Sequence, residues 1–190
     1  MEKLTVEELL KRDIRNKIIA FPTDTVYGVG CMIDDKVAID KIYELKHRDY
    51  SKPLAILTNK KDISEYAYVN KNIEELINLY WPGALTLIFK KTSKVPSFVT
   101  ANLETVGFRM PNSNIALRIL DKFGLLATTS INISGEVPLN DIESIERNFS
   151  NYIDYLIIDI EETSNVSSTV VDCSNGKYKI LRQGDIKIIW

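Results

Sequence analysis

Apolar residues recur along the chain in two rhythms, one returning every third or fourth position and one of short dense runs, so helices and strands alternate. Thr5 with Glu8 makes a capping-box pattern, and Val6, Leu9, Leu10 and Ile14 follow on one side, which predicts an amphipathic helix through about Arg15. A short strand is expected over Ile18–Phe21. Ala38, Ile42 and Leu45 then mark a helix over Asp35–Leu45, with Lys46 and Arg48 where it ends, and Leu54–Leu57 reads as a buried strand. Asn72–Tyr80 is a further helix, stopped by Pro82-Gly83, and Ala84–Phe89 resumes as strand. Thr105–Met110 is strand-like and closed by Pro111. Asn114–Lys122 has helical spacing with Gly124 placed to cap it, and Leu125–Thr129 leads as a strand into a polar turn at Ser130–Gly135. The last third predicts four strands, Tyr155–Ile160, Thr169–Asp172, Tyr178–Leu181 and Ile186–Ile189. The last of these follow one another too closely for parallel crossovers, so the sheet is expected to be mixed, within one α/β domain over residues 1–190.

Composition narrows the function classes. At 45% hydrophobic and 26% charged residues, the 190-residue chain is an ordinary globule. A formal net charge of -2 argues against a protein devoted to coating a nucleic-acid backbone, although a local basic patch stays open. Cys31, Cys173 and the single His47 do not have the spacing of a zinc site, so no protein-held metal is expected. Residues 1–20 carry charges throughout and no signal-like apolar block, and no run approaches the roughly 20 apolar residues of a membrane helix. A cytoplasmic location is the expectation.

Three polar clusters follow predicted strands or helices, where open α/β sheets gather ligand groups. Thr23, Asp24, Thr25 and Tyr27, after Pro22, read either as a turn using its own hydroxyls or as a loop holding a small polar substrate. Lys46, His47, Arg48 and Lys52 read either as a helix C-terminal cap or as a pair of cations converging on a polyphosphate. Ser130, Asn132 and Ser134 read as turn formers or as phosphate and nucleotide ligands. Arg109 and Arg182 stand at strand ends. The chain has no P-loop pattern, no dinucleotide fingerprint and no G-x-S-x-G elbow, so none of those motifs explains the clusters.

Taken in order, the segments FPTDTVYGVG (from Phe21), KHRDYSKPL (from Lys46), WPGALTL (from Trp81), VGFRMP (from Val106), SINISG (from Ser130), STVVD (from Ser168) and LRQG (from Leu181) resemble the YrdC/TsaC family, the threonylcarbamoyl-AMP synthases. The resemblance covers almost the whole chain, and with no room for a further domain after Trp190 it points to the short single-domain form. It implies a twisted, mostly open mixed sheet flanked by helices around a concave, positively charged cavity. The implied reaction joins L-threonine, bicarbonate or CO2, and ATP into threonylcarbamoyl-AMP and pyrophosphate, for threonylcarbamoyladenosine modification of tRNA next to the anticodon. That makes the chain a nucleotidyltransferase using Mg2+ with its ATP, supplying downstream tRNA threonylcarbamoyltransferase proteins, with weak direct RNA binding as a further possibility.

By the same resemblance, K-x-R and S-x-N assign catalysis and ATP contact to Lys46, Arg48, Ser130 and Asn132. Thr105 and Arg182 join them on ATP. Thr23, Thr25, Lys52, Arg109 and Ser168 are assigned to L-threonine, with Tyr27 beside them. Three positions depart from the family pattern: Asp49 replaces a common proline, Ile131 an alanine and Gln183 a proline. Asp49 is expected to place a negative charge near the phosphates. Two other readings stand against the synthase. One is a double-stranded RNA or tRNA-binding protein of the same fold. The other is a related branch, either the carbamoyl-AMP-forming domain of hydrogenase maturation or a paralogue without synthase activity.

Overall fold

A computed structural model describes residues 1–189. In chain order its elements are β1 (Glu2–Leu4), α1 (Val6–Leu9), β2 (Ile19–Phe21), β3 (Gly28–Met32), α2 (Lys36–Leu45), β4 (Ala55–Leu57), α3 (Lys71–Tyr80), β5 (Leu85–Lys90), β6 (Thr105–Arg109), α4 (Asn114–Phe123), β7 (Leu126–Ser130), α5 (Ile142–Phe149), β8 (Tyr155–Ile157), β9 (Thr169–Asp172) and β10 (Lys179–Arg182). All ten strands join one open mixed sheet in the order β1-β8-β2-β3-β7-β4-β6-β5-β9-β10. Pairing is parallel at β1/β8, β8/β2, β4/β6 and β5/β9, and antiparallel elsewhere.

The strand alternation explains the layers. Val106 and Phe108 of β6, Leu85, Leu87 and Phe89 of β5 and Ile56 of β4 face a large core closed by α2, α3 and α5. On the opposite face, Ile19, Phe21, Leu57 and Leu126 pack under α1 and α4 in a second, smaller core. These two helices cover only part of that face. Beyond Leu57 the outward positions of β4 to β7 change to Ala55, Gly107, Thr128 and Ser130, and this uncovered stretch is the floor of a cavity.

The structure corrects several expectations. The first helix ends at Leu9 instead of continuing to Arg15: Leu10 caps it, and Asp13 Oδ1 accepts from Arg15 N at 2.9 Å, a local turn that competes with helix. Ile14 is nevertheless buried, because the apolar spacing suits either backbone. Strands β1 and β3 and helix α5 were not expected. In β3, Val29 and Cys31 point inward while Gly28 and Gly30 face out, so only Met32 gives the outer face of this strand a side chain. A Cβ on Gly30 would lie 3.0 Å from Thr128 Oγ1 and 3.1 Å from Ala127 O, so a larger residue there would have to push β7 back by a few tenths of an ångström. Helix α5 carries only Ile145 and Phe149 as buried residues, capped by Asp141. Residues 186–189 form no strand; the Ile186 carbonyl instead accepts from Gln183 Nε2 at 2.7 Å.

Candidate functional site

The cavity has a volume of about 580 Å³, within the range of small-molecule sites. Four cationic side chains line it, Arg48, Lys52, Arg109 and Arg182, against one carboxylate, Asp172. Its floor is a row of strand residues held in register: Thr128, Ala55 and Gly107 lie side by side, followed by Ile88 and Asp172. Small residues in the middle let a ligand approach the backbone closely. Thr105 and Arg109 mark the two ends of β6, roughly 13 Å apart at the usual strand rise.

At the Arg109 end, the loop after β2 folds back across the concave face. Thr23 Oγ1 donates to Val26 O at 2.7 Å and accepts from Thr25 N and Val26 N at 3.2 and 3.3 Å. Thr23 therefore spends its hydroxyl on the turn. Arg109 Nη1 donates to Thr25 Oγ1 at 2.7 Å, its Nε to Gly83 O at 3.0 Å, and its Nη2 pairs with Asp24. Burial pushes the Arg109 pKa down and the Asp24 charge pulls it back up. Thr25 Oγ1 accepts from Arg109 and, because the Thr23 proton is on Val26 O, donates across the 3.1 Å contact to Thr23 Oγ1, so only a lone pair of this hydroxyl remains for a ligand. Tyr27 sends its ring into the main core, with its hydroxyl 3.5 Å from Ile157 O, and does not line the cavity.

Arg182 completes this side. Its Nε and Nη2 donate to Ser168 O at 3.0 and 2.9 Å, and Ser168 Oγ lies 2.8 Å from Thr86 Oγ1. Desolvation lowers the Arg182 pKa. The LRQG glycine has a physical cause here: a Cβ on Gly184 would sit 2.1 Å from Ser167 O and 2.4 Å from Ser168 C. Gly184→Ala is expected to push Ser167 and Ser168 out of place, costing at least about 2 kcal/mol in a melting experiment and displacing the Arg182 contact. An unchanged melting temperature would show that this backbone can yield.

At the Thr105 end, residues 46–53 leave α2 through His47, whose φ is 47°. Arg48 Nε and Nη2 donate to Lys52 O and Pro53 O at 3.2 and 2.9 Å, and Tyr43 Oη donates to Lys52 O at 2.7 Å. Tyr50 stacks on Tyr43 with ring centroids 4.6 Å apart. Arg48 thus faces the cavity while tethering its own loop. Lys52, expected beside Arg109, sits instead on this Arg48 loop. Asp49 does not reach the site: its Oδ1 accepts from Ser51 N at 2.8 Å, and its side chain is exposed.

Lys46 and Asn132, expected as direct ligands, are not on the cavity wall. Lys46 is 1% exposed, and its ammonium donates to Ser130 O, Asn132 O and Asn132 Oδ1, the last two at 2.9 Å. Asn132 Nδ2 is spent on Ile133 O and Glu136 O at 2.8 and 2.9 Å, while its Oδ1 also accepts from Ser130 Oγ at 2.7 Å. The two residues therefore stand behind Ser130 and hold its turn. Burial, with Arg48 adding to it, pushes the Lys46 pKa down to about 7. Ser130, with its proton directed at Asn132, presents lone pairs to the cavity, so in this arrangement it receives a donor.

Sequence reasoning missed Thr86 and Asp172, and it placed Asp24 in the loop cluster without its partner Arg109. Thr86 and Asp172 were discoverable from alternation, since each is the out-facing residue between core positions of β5 and β9. Asp24 had no sequence signal of its role, because its partner is 85 positions away. Among the described residues no group of three or more His, Cys, Asp or Glu side chains gathers to hold a metal ion, and no helix is long and apolar enough to cross a membrane.

A Sua5/YciO/YrdC family model, described as telomere recombination, matches residues 14–184. A putative threonylcarbamoyl-AMP synthase of Methanocaldococcus jannaschii is 34% identical over 190 residues, covering 98% of this chain and 89% of that protein. The crystal structure of Pyrococcus abyssi Sua5 complexed with L-threonine is similar at a TM-score of 0.84 and 34% identity, over 89% of this chain and 51% of that one. The chain thus spans about half the length of that relative. Escherichia coli YciO superposes with a TM-score of 0.81 at 26% identity, over 88% of this chain and 83% of its own.

Proposed function

Because the chain belongs to the Sua5/YciO/YrdC family, we propose that it is a threonylcarbamoyl-AMP synthase, a nucleotidyltransferase joining L-threonine, bicarbonate or CO2, and ATP. The carrying observation is one cavity with a guanidinium at each end of its floor, Arg109 beside Thr25 and Arg48 beside Ser130. Such a cavity holds an amino acid and a polyphosphate at the same time, and the Pyrococcus abyssi relative binds L-threonine.

In this reading the threonine carboxylate meets Arg109, and its neutral amine adds to CO2 to form a carbamate, releasing one proton to solvent, or condenses with bicarbonate to the same carbamate with loss of water. A carbamate oxygen then attacks the α-phosphate of ATP, and pyrophosphate leaves. Negative charge grows on the phosphoryl oxygens and the leaving group, where Arg48 and Arg182 act as preorganised electrostatic partners. Lys46 and Asn132 contribute by keeping the Ser130 turn in place. Asp172 is the one carboxylate in the cavity lining, a donor set that fits Mg2+ carried mainly by the polyphosphate. When bound, the ion neutralises phosphate charge. The product passes to proteins that transfer the threonylcarbamoyl group to tRNA in the cytoplasm.

The test is incubation with ATP, Mg2+, bicarbonate and labelled threonine, with threonine-dependent pyrophosphate and a threonylcarbamoyl-AMP peak expected. Salt-sensitive RNA binding by folded protein that consumes no ATP would replace the synthase with an RNA-binding role. Valine tests the threonine end separately. A pocket that pairs a substrate hydroxyl rejects an analogue lacking it far better than one that measures methyl groups. Valine turnover is expected to fall on the order of 10³-fold below that of threonine in kcat/KM, and equal values would remove Thr25 from hydroxyl recognition.

A further inference from the structure

The four cavity cations are not equivalent. Arg48 and Arg182 are oriented by backbone carbonyls, and among the described residues neither they nor Lys52 has a carboxylate within ion-pair distance. Arg109 alone is paired, with Asp24, at side-chain exposures of 8% and 16%. The pair is buried, so it retains much more of its interaction than a surface pair would. Asp24 is also fixed from behind. Its backbone carbonyl accepts from Ser164 N at 3.0 Å, tying it to the connection that carries Ser167 and Ser168 into the cavity. Arg182 and Asp185 also act on Arg109, the first pushing its pKa down and the second up.

We propose that Asp24 is a positioning and specificity residue that marks the Arg109 end of the cavity for the amino acid. It acts in two ways. With Nε on Gly83, Nη1 on Thr25 and Nη2 on Asp24, the guanidinium plane has one orientation, and the remaining N–H groups are left for a carboxylate. The negative charge of Asp24 also offsets that of Arg109, so Arg182 is the one unpaired cation at this end against Arg48 and Lys52 at the other. A neutral zwitterion is accepted there, whereas a polyphosphate finds more unpaired positive charge at the Arg48 and Lys52 end. Without Asp24, the two ends of the cavity would compete for the same anion, because Arg109 would become a bare buried cation. The inference rests on threonine being the substrate at Arg109.

The experiment measures L-threonine binding by calorimetry, with and without inorganic tripolyphosphate as competitor, for wild type, Asp24→Asn and Asp24→Glu. Wild type is expected to bind threonine without displacement by tripolyphosphate. Asp24→Asn is expected to weaken threonine about tenfold and to make tripolyphosphate a competitor. Asp24→Glu keeps the charge but moves it by one methylene, so threonine binding falls while tripolyphosphate stays excluded. A general packing role would weaken both ligands together and create no new competition. Threonine affinity unchanged in Asp24→Glu, or tripolyphosphate competing equally in wild type and Asp24→Asn, overturns the proposal; Asp24→Glu decides it even if Asp24→Asn does not fold. Absence of any threonine binding to folded wild type would instead remove the synthase reading itself.

Discussion

Lys46→Ala is expected to lose turnover and stability together, which separates a buried clamp from both a surface helix cap and a simple phosphate contact. A cap contributes at most about 1 kcal/mol. Lys46 instead satisfies two backbone carbonyls and one amide oxygen, and its removal leaves buried acceptors unpaired. Relief of the buried charge offsets part of that loss, so a net cost of about 3 kcal/mol is expected. Turnover should fall by 10²- to 10³-fold, on the order of removing a preorganised group, because the Ser130 turn loses its support. Lys46→Met, which keeps the volume, should behave like Ala in activity. The pH dependence gives an independent readout. The folded pKa of about 7 lies below the ordinary 10.5, so between these values the unfolded chain holds a proton that the folded protein has released. Stability from this group therefore rises with pH through that window and is lowest below pH 7. Urea unfolding of wild type minus Lys46→Met across pH 7 to 10 should show this slope. Two variants of near-wild-type stability and activity, with no slope, would return Lys46 to the solvent-facing end of α2.

Arg48→Ala is expected to lower threonine-dependent pyrophosphate release by 10²- to 10³-fold while the fold survives. Its bonds to Lys52 O and Pro53 O hold a loop at the cavity mouth, not a core layer, so the cost in stability should stay near 1 kcal/mol. Arg48→Lys should already be impaired at least tenfold. An ammonium cannot hold two loop carbonyls and still present a planar fork to phosphate. Desolvation already lowers the Arg48 pKa, which shows how much of its hydration has been given up for this position. Pyrophosphate release by both variants, with circular dichroism to establish folding, measures the effect. A folded Arg48→Ala enzyme with wild-type kcat would leave Arg48 as a loop tether only.

The contrast between Lys46 and Arg48 shows where sequence reading reaches its limit. K-x-R marks both residues equally, and nothing in the spacing says that one turns inward. The turn after α2, through His47 at φ 47°, sends Lys46 beneath residues 130–132 and Arg48 into the cavity. Local patterning was legible because it depends on near neighbours: the Thr5–Glu8 capping box, the strands at Leu85 and Thr105, and the α4 helix ended by Gly124 all appear where the periodicity places them. Elements whose stability comes from distant partners were not. Helix α5 is short and carries two buried residues, and β3 shows glycines where a strand pattern would show side chains.

The sequence by itself determined the α/β class, the mixed sheet, most element positions and the polar segments that meet at the cavity. The class, the mixed sheet and the element positions follow from periodicity and turn chemistry, which act over a few residues, whereas the gathering of the polar segments around one cavity came from the family resemblance. Only the tertiary structure decided what each polar group is free to do. Thr23 was a candidate ligand until its hydroxyl proved committed to Val26. Asn132 was another until both of its amide protons proved committed to carbonyls. The Asp24–Arg109 pair spans 85 positions, and Lys46 reaches residues 84 and 86 positions away. A side chain has a fixed number of donors and acceptors, and which of them remain for a ligand depends on neighbours that only folding brings into contact.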